Sequence, residues 1–292
     1  MDYYAEIKEQ LVNNEIIKKV KDYSKNRSDL TTYYNIGKLL SKADKQYGKG
    51  IIKEYSLKLT EEFGKKYTTS LLYKIKQFYY IYQKVPTLSG ILTWSHWYEL
   101  LSIKDINKIM YYVKQCEINN LDVRSLRKRI KNKEYERLDE QTKLKLITEE
   151  EPKVKDLIKN PIIINNKNSY ETISEKVLQK IILEDISSFL KELGNGFSFI
   201  DNEYKIKLGN KYNYIDLLLY NIIYKCYVVV ELKITTLKKE HIGQIQVYMN
   251  YIDKNIKTIN EDKTIGIILV KKDNKYIMEY CSDDRIIAKE YE

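Results

Sequence analysis

The sequence predicts an α+β protein. An all-α, basic first half spanning residues 1–150 is followed by an α/β domain over residues 151–292, in which a helix leads into several strands and a further helix precedes the last of them. Three features of the chain point there. At 292 residues it exceeds the usual single-domain size, so each half is long enough for its own core. Apolar residues recur at helical spacing through the first half, whereas β-branched and aromatic runs separated by polar turns fill much of the second. Positive charge is concentrated in the first half: residues 1–150 hold 29 Lys or Arg against 20 Asp or Glu, a net of +9, and the remainder 22 against 21.

In the first half, helical spacing is found in EIIKKVKDYS, in LTTYYNIGKLLSKA and in IIKEYSLKLTEEFG, where Gly64 provides a C-cap. Thr68 or Thr69 caps SLLYKIKQFYYIYQKV, which ends before Pro86. Leu71, Leu72, Ile75, Phe78 and Tyr79 share one face of that helix, leaving Lys74 and Lys76 for a nucleic acid if it serves as a recognition helix. In DVRSLRKRIKNK, Asp122 caps a helix carrying Arg124, Arg127, Lys128, Arg129 and Lys131. Five cations in eight residues repel one another unless an anion approaches, which favours phosphate contact. His96, between two tryptophans, is expected to pack or cap rather than catalyse. The polar stretch Tyr135 to Lys159 marks the domain junction.

The second half opens with the amphipathic helix SEKVLQKIILEDISSFLKEL, ended by Gly194. The runs FSFIDNEYKIKL, YNYIDLLLY, YKCYVVVELKI and TIGIILVKK are strands, and KEHIGQIQVYMNYID before the last of them is a helix. A helix or an irregular tail closes the chain.

Composition excludes several classes of function. No apolar run reaches the roughly 18 residues of a membrane span, and the N-terminus lacks the order of a signal peptide, so a cytoplasmic protein with no membrane partner is expected. Three scattered cysteines fit neither a zinc site nor a disulfide scaffold and are expected as buried thiols. Two histidines, His96 and His241, rule against a three-histidine zinc centre. Residues 31–133 carry 20 basic and 8 acidic residues, which implies a polyanionic partner.

Two charged interruptions of apolar strands define the candidate site. Asp216 breaks YNYIDLLLY and Glu231 breaks CYVVVELKI, and the 14 residues between them fit two antiparallel strands and a short turn, so the two acids can face each other. Side-chain alternation places Glu231 and Lys233 on one face and sends Leu232 into the core. Two adjacent carboxylates repel, and a hard divalent cation relieves that repulsion by accepting oxygen ligands from both. Lys233 is then placed to orient or deprotonate a water, or to neutralise charge on a phosphate. One helix later, Gln244 and Tyr248 are four residues apart and share a face beside the apolar stripe of Ile242, Ile245, Met249 and Ile252.

Asp216, Glu231 and Lys233 resemble the D…(D/E)xK signature of the PD-(D/E)xK nuclease superfamily, and the chain as a whole resembles its YhcG-like family. YYNIGKLL, LTEEFGKKY, LTWSHWYELLSIKD and VRSLRKRI are similar to that family's N-terminal domain. ELGNGFSFI, YIDLLLY, VVVELK and GQIQVYMN are similar to its nuclease domain. The resemblance implies a restriction-endonuclease-like fold, with a mixed central sheet flanked by helices, and hydrolysis of DNA phosphodiesters. It implies Mg2+, replaceable by Mn2+, held by Asp216, Glu231 and the backbone carbonyl of Leu232. Gln244 and Tyr248 resemble the glutamine and tyrosine motif of RecB-like nucleases, which implies contact with the substrate strand near the scissile phosphate. Where related nucleases often have a first-helix glutamate, this chain has Gln179, with Glu175 one turn earlier as a substitute metal ligand. A catalytically silent DNA-binding or assembly protein, an RNase, or a nuclease subunit of a larger complex are the alternatives. Homo-oligomers and further components of a restriction, mobile-element or defence system stay open as partners.

Overall fold

A computed structural model describes residues 3–20, 25–48, 50–64, 66–84, 92–148, 150 and 153–292. The chain divides into two compact units, Met1–Tyr135 and Glu136–Glu292. None of the described helices is long and apolar enough to cross a membrane.

The first unit is helical, with α1 (Tyr3–Val20), α2 (Lys25–Tyr47), α3 (Gly50–Phe63), α4 (Thr69–Tyr82), α5 (Trp94–Leu100), α6 (Ile106–Asn119) and α7 (Val123–Lys131). Its caps are largely those expected. Gly64 follows α3 with φ of +84°, a left-handed conformation that costs glycine no steric strain. Thr68 accepts from the Leu71 amide, and Asp122 from the Ser125 amide at 2.7 Å. α4 ends at Tyr82, and Pro86 and the last residues of EIIKKVKDYS lie outside the described residues. Ile7, Leu11, Ile36, Leu40, Ile52, Leu59, Leu72 and Ile75 form the core of these helices. His96 is a buried capping residue: its Nδ1 accepts from the Thr93 amide at 3.1 Å, leaving Nε2 to donate to the Leu121 carbonyl at 2.9 Å.

The second unit begins with α8 (Glu140–Thr148) and α9 (Val154–Leu157). Lys145 pairs with Asp156 at 2.7 Å, and Thr142 donates to the Asp156 carbonyl, so these short helices hold each other. The division between units falls after Tyr135, at the start of the polar stretch Tyr135 to Lys159. The amphipathic segment that follows is two helices, α10 (Glu175–Glu184) and α11 (Ile186–Leu193), not one. Asp185 leaves helical geometry at φ −138°, ψ 50°, and its carboxylate caps α11 at the Ser188 amide.

Five strands form one sheet in chain order: β1 (Phe197–Leu208), β2 (Lys211–Asn221), β3 (Cys226–Thr236), β4 (Asp262–Lys272) and β5 (Ile286–Glu290). β1, β2 and β3 run antiparallel in succession, and β3, β4 and β5 are parallel. The C-terminal tail supplies both α13 (Lys275–Glu279) and the edge strand β5, which is too short to stand out by its own period.

Helices cover both sheet faces. On one, Leu178 and Ile182 of α10 and Phe189 and Leu193 of α11 pack on Leu217, Leu219, Val228, Val230 and Leu232. On the other, Ile245, Tyr248, Met249 and Ile252 of α12 (Lys239–Asn255) pack on Leu218, Val229, Ile268 and Val270. α12 is the crossover between β3 and β4. It lies so close to β4 that a Cβ on Gly266 would stand 2.5 Å from Met249 Sδ. This contact fixes the height of α12 over β4, which pairs in parallel with β3. Buried Cys116 and Cys226 have their thiols pushed up to about 12 and about 11 by burial, which keeps them unreactive; Cys281 is only half-buried.

Candidate active site

The site forms where β2 and β3 separate. Their ladder runs from Asn221 opposite Cys226 to Leu217 opposite Val230, and the next residues along are Asp216 and Glu231. There the pairing stops, and the Leu232 amide donates to Asp216 Oδ2 at 2.7 Å, replacing a ladder bond with a side-chain bond. From the other side, buried Gln179 on α10 donates its Nε2–H to the Asp216 carbonyl at 2.8 Å. An ionised glutamate at this position could not make that bond, because a carboxylate has no proton to give. The glutamine at this position thus holds the strand carrying Asp216.

Glu231 lies inside the sheet at 2% exposure. Lys233 Nζ donates to Glu231 Oε1 at 2.8 Å and reaches Glu175 Oε2 on α10 at 3.4 Å. Among the described residues Glu231 Oε2 is buried without a hydrogen-bond partner. A buried carboxylate oxygen left unpaired is costly and calls for an explanation such as a missing ion. Among the described residues no three His, Cys, Asp or Glu side chains form a ready-made cation cluster. Two carboxylates suffice for Mg2+, which commonly keeps several waters and completes its shell with substrate phosphate. The donor set therefore fits a hard divalent cation.

Electrostatics follows the same geometry. Burial and the adjacent Asp216 charge push Glu231 up to about 7, against the opposing pull of Lys233. Burial also raises Asp216, although the Leu232 amide and Lys233 oppose the shift. For Lys233 burial acts downward, yet the Glu231 hydrogen bond and the surrounding carboxylates outweigh it and raise the pKa. It is an ammonium at neutral pH.

Two neighbours were not apparent in the sequence. Glu203 on β1 falls between the pairs Asn202–Leu217 and Tyr204–Ile215, opposite Asp216, and its charge adds to the upward shift of that carboxyl. It adopts φ of +50°, a conformation uncommon for a residue with a side chain. Only the strand register would have found it. His241 caps α12 by accepting from the Lys238 amide at 3.2 Å, and burial with the charges of Lys233 and Lys238 lowers its pKa. A lone histidine in a polar turn gave no spacing signal.

Gln244 and Tyr248 do share a face of α12, where Gln244 Nε2–H donates to Tyr248 Oη at 3.1 Å. Tyr248 is buried in the α12 cluster. Among the described residues neither hydrogen-bonds to Asp216, Glu231 or Lys233.

The basic residues of the first unit separate into two sets. Arg124, Lys128 and Lys131 are exposed at i, i+4 and i+7 of α7, with no hydrogen bond or ion pair on their side chains among the described residues. Exposed Arg127 pairs with Glu99 at 2.6 Å. Arg129 turns inward, bonding Gln115 at 3.0 Å and Glu134 at 3.4 Å. Lys76 is sequestered with Asp44, and Lys74 sits 3.3 Å from the centre of the Tyr98 ring. Lys76 and Arg129 are therefore the two of these cations held by partly buried ion pairs within the unit.

The shift of Glu231 sets a pH dependence. Its folded pKa, about 7, exceeds the ordinary 4.5, so the folded chain retains a proton there that the unfolded chain has lost. Stability from this group therefore falls as pH rises from 4.5 through 7. Glu231→Gln, which cannot ionise, should raise the melting temperature of the metal-free protein by several degrees at pH 8 and have little effect at pH 4.5. Thermal denaturation in EDTA checks this, and an equal effect at both pH values contradicts it.

Comparison with known proteins matches this arrangement to one family. The family profile described as the YhcG PDDEXK nuclease domain matches residues 155–292, and that described as the DUF1016 N-terminal domain matches residues 8–137. The curated relative "Putative nuclease YhcG" of Escherichia coli (strain K12) is 22% identical over 307 aligned positions, covering 89% of this chain and 82% of the relative. Two solved structures also match part of the chain. One is a repair endonuclease from Pyrococcus abyssi, at 15% identity and a TM-score of 0.30 over 42% of this chain and 48% of the other. The second is an EndoMS–dsDNA complex, at 17% identity and 0.31 over 42% and 47%. The matched region spans about half the length of each of those two structures. With both halves of the chain matched in order by the family's two domains, the protein belongs to the YhcG-like family of the PD-(D/E)xK nuclease superfamily.

Proposed function

We propose that this nuclease is a divalent-cation-dependent deoxyribonuclease, with Mg2+ as its cation and Mn2+ as a substitute. The observation that carries the reading is the unpartnered, buried Oε2 of Glu231 beside Asp216 and Lys233. Asp216, Glu231 and the Leu232 carbonyl would hold the cation. When bound, such an ion supplies positive charge to the phosphate and lowers the pKa of a water.

The chain's own residues account for the rest. Leu232 N–H and Gln179 fix Asp216 from two sides, so its carboxylate is preorganised. Glu175 and Glu231 hold the Lys233 ammonium, which acts as a donor and not as a base. Lys233 orients the attacking water or donates to a non-bridging oxygen as charge grows there. The water oxygen gives a proton to bulk solvent as it attacks phosphorus, the bond to the leaving oxygen breaks, and that oxygen takes a proton from solvent. In this scheme Glu175 is a positioning residue for Lys233 and not a metal ligand. Gln244 and Tyr248, bonded to one another on α12, are proposed to contact the substrate strand.

Purified protein should cleave at least one of supercoiled, linear, branched or single-stranded DNA with Mg2+ or Mn2+, and none in EDTA, with RNA as the competing substrate. Asp216→Ala and Glu231→Ala should reduce cleavage to background, and Lys233→Ala by about 10²- to 10³-fold, the scale of losing one preorganised donor. Undiminished cleavage by all three variants contradicts the site, and cleavage of RNA in preference to DNA contradicts the substrate.

DNA affinity is proposed to come from the first unit, through Arg124, Lys128 and Lys131 on α7. Replacing these three with Gln should flatten the dependence of log affinity on log salt by up to ~0.9 per lost duplex phosphate contact. Lys76→Gln and Arg129→Gln should instead lower the melting temperature and leave the salt slope unchanged. A slope that responds to the second pair and not to the first three rules out the α7 stripe as the phosphate surface.

A further inference from the structure

β1 and β2 continue beyond the sheet. β3 pairs with β2 only over Leu217–Asn221, whereas β1 stays paired with β2 through Tyr204–Ile215 to Leu208–Lys211. The hairpin is thus a two-stranded arm, and its base is Asp216. One face of the arm is anchored: Ile206 and Ile215 are buried with Ile245, Tyr248 and Met249 of α12. This anchoring lets a hairpin hold its shape where an isolated one would be marginal.

The opposite face has no protein partner among the described residues. Lys205 stands opposite Tyr214 and Lys207 opposite Tyr212, so the four side chains share it. Tyr212 and Tyr214 are 54% and 52% exposed. Lys205 Nζ lies 4.0 Å from the centre of the Tyr212 ring. From Tyr204 to Tyr214 the sequence holds three lysines and no acid. Tyr214 precedes Asp216 by two residues, about 7 Å along an extended strand.

We propose that this face binds a single nucleic-acid strand, its tyrosines stacking on unpaired bases and its lysines contacting phosphates, and delivers the strand to the site at the arm's base. Its place beside the scissile bond rests on the nuclease reading above. Charge and ring geometry select the occupant. A stretch from Tyr204 to Tyr214 with lysines and no acid matches a polyanion, and exposed ring faces match bases freed from a duplex, whose faces are otherwise hidden. A second copy of the chain would bring the same two cations, Lys205 and Lys207, against this face and be repelled.

The test is fluorescence anisotropy of a labelled oligothymidine with the full-length protein in EDTA, together with cleavage assays in Mg2+. Tyr212→Ala and Tyr214→Ala should each raise Kd about tenfold, the scale of one base–aromatic stack, while the Phe variants retain affinity. Lys205→Gln with Lys207→Gln should lower the salt slope by up to ~0.7 per lost single-strand contact. Unchanged melting temperatures are expected, because these side chains are exposed. If the parent cleaves DNA yet binds the oligonucleotide no better than the double tyrosine variant, the arm proposal is overturned and the nuclease reading stands. If the arm variants lose binding but the parent cuts nothing with any divalent cation, the nuclease reading falls and the binding face is upheld. A double variant that alters sedimentation without altering Kd identifies a contact between copies and overturns the proposal.

Discussion

Glu231 carries its carboxylate into the interior of the sheet, one oxygen bonded to Lys233 and the other without a hydrogen-bond partner among the described residues, with Asp216 beside it. The surrounding structure is organised around that charge. Burial penalises ionisation, the neighbouring acid adds to the penalty, and the single ammonium within reach compensates in part. Such an arrangement stores electrostatic strain in the folded chain, and a divalent cation is the ligand that would relieve it.

The strain is tolerated because the strands around it are held on both sides. Val228, Val230 and Leu232 bury one edge of β3 under α10 and α11, while Val229 packs under α12. Gln179 ties α10 to the Asp216 backbone, and Glu175 on the same helix reaches Lys233, so α10 contributes to the site through positioning bonds. The splaying of β2 from β3 has two results. It frees the Asp216 carboxylate to take the Leu232 amide, and it sends the hairpin onward as an arm.

Much of the site was legible because polar residues inside apolar strands are conspicuous. Asp216 and Glu231 interrupt otherwise apolar runs, and the two-residue strand period places Lys233 beside Glu231 without any tertiary information. The pairing of Gln244 with Tyr248 follows equally from helical spacing. Caps at Thr68 and Asp122 were legible for the same local reason. Features set by distant contacts were not. Lys76 looked free on its helix until Asp44, 32 residues away, was seen to pair with it, and Glu134 with Gln115 draws Arg129 inward. Glu203 depends on strand register, and the break between α10 and α11 depends on Asp185 capping the next helix instead of continuing the first. The edge strand β5 is held by pairing with β4 and carries little pattern of its own.

The central claim is that the unpartnered Glu231 oxygen belongs to a cation site shared with Asp216. Crystals of the protein soaked in Mn2+ and measured for anomalous scattering test it most directly. A peak within coordination distance of Glu231 Oε2 and an Asp216 oxygen, lost in crystals of Asp216→Ala, is the predicted result. A well-ordered site with no anomalous peak at saturating Mn2+, or a peak bound only by other residues, would contradict it.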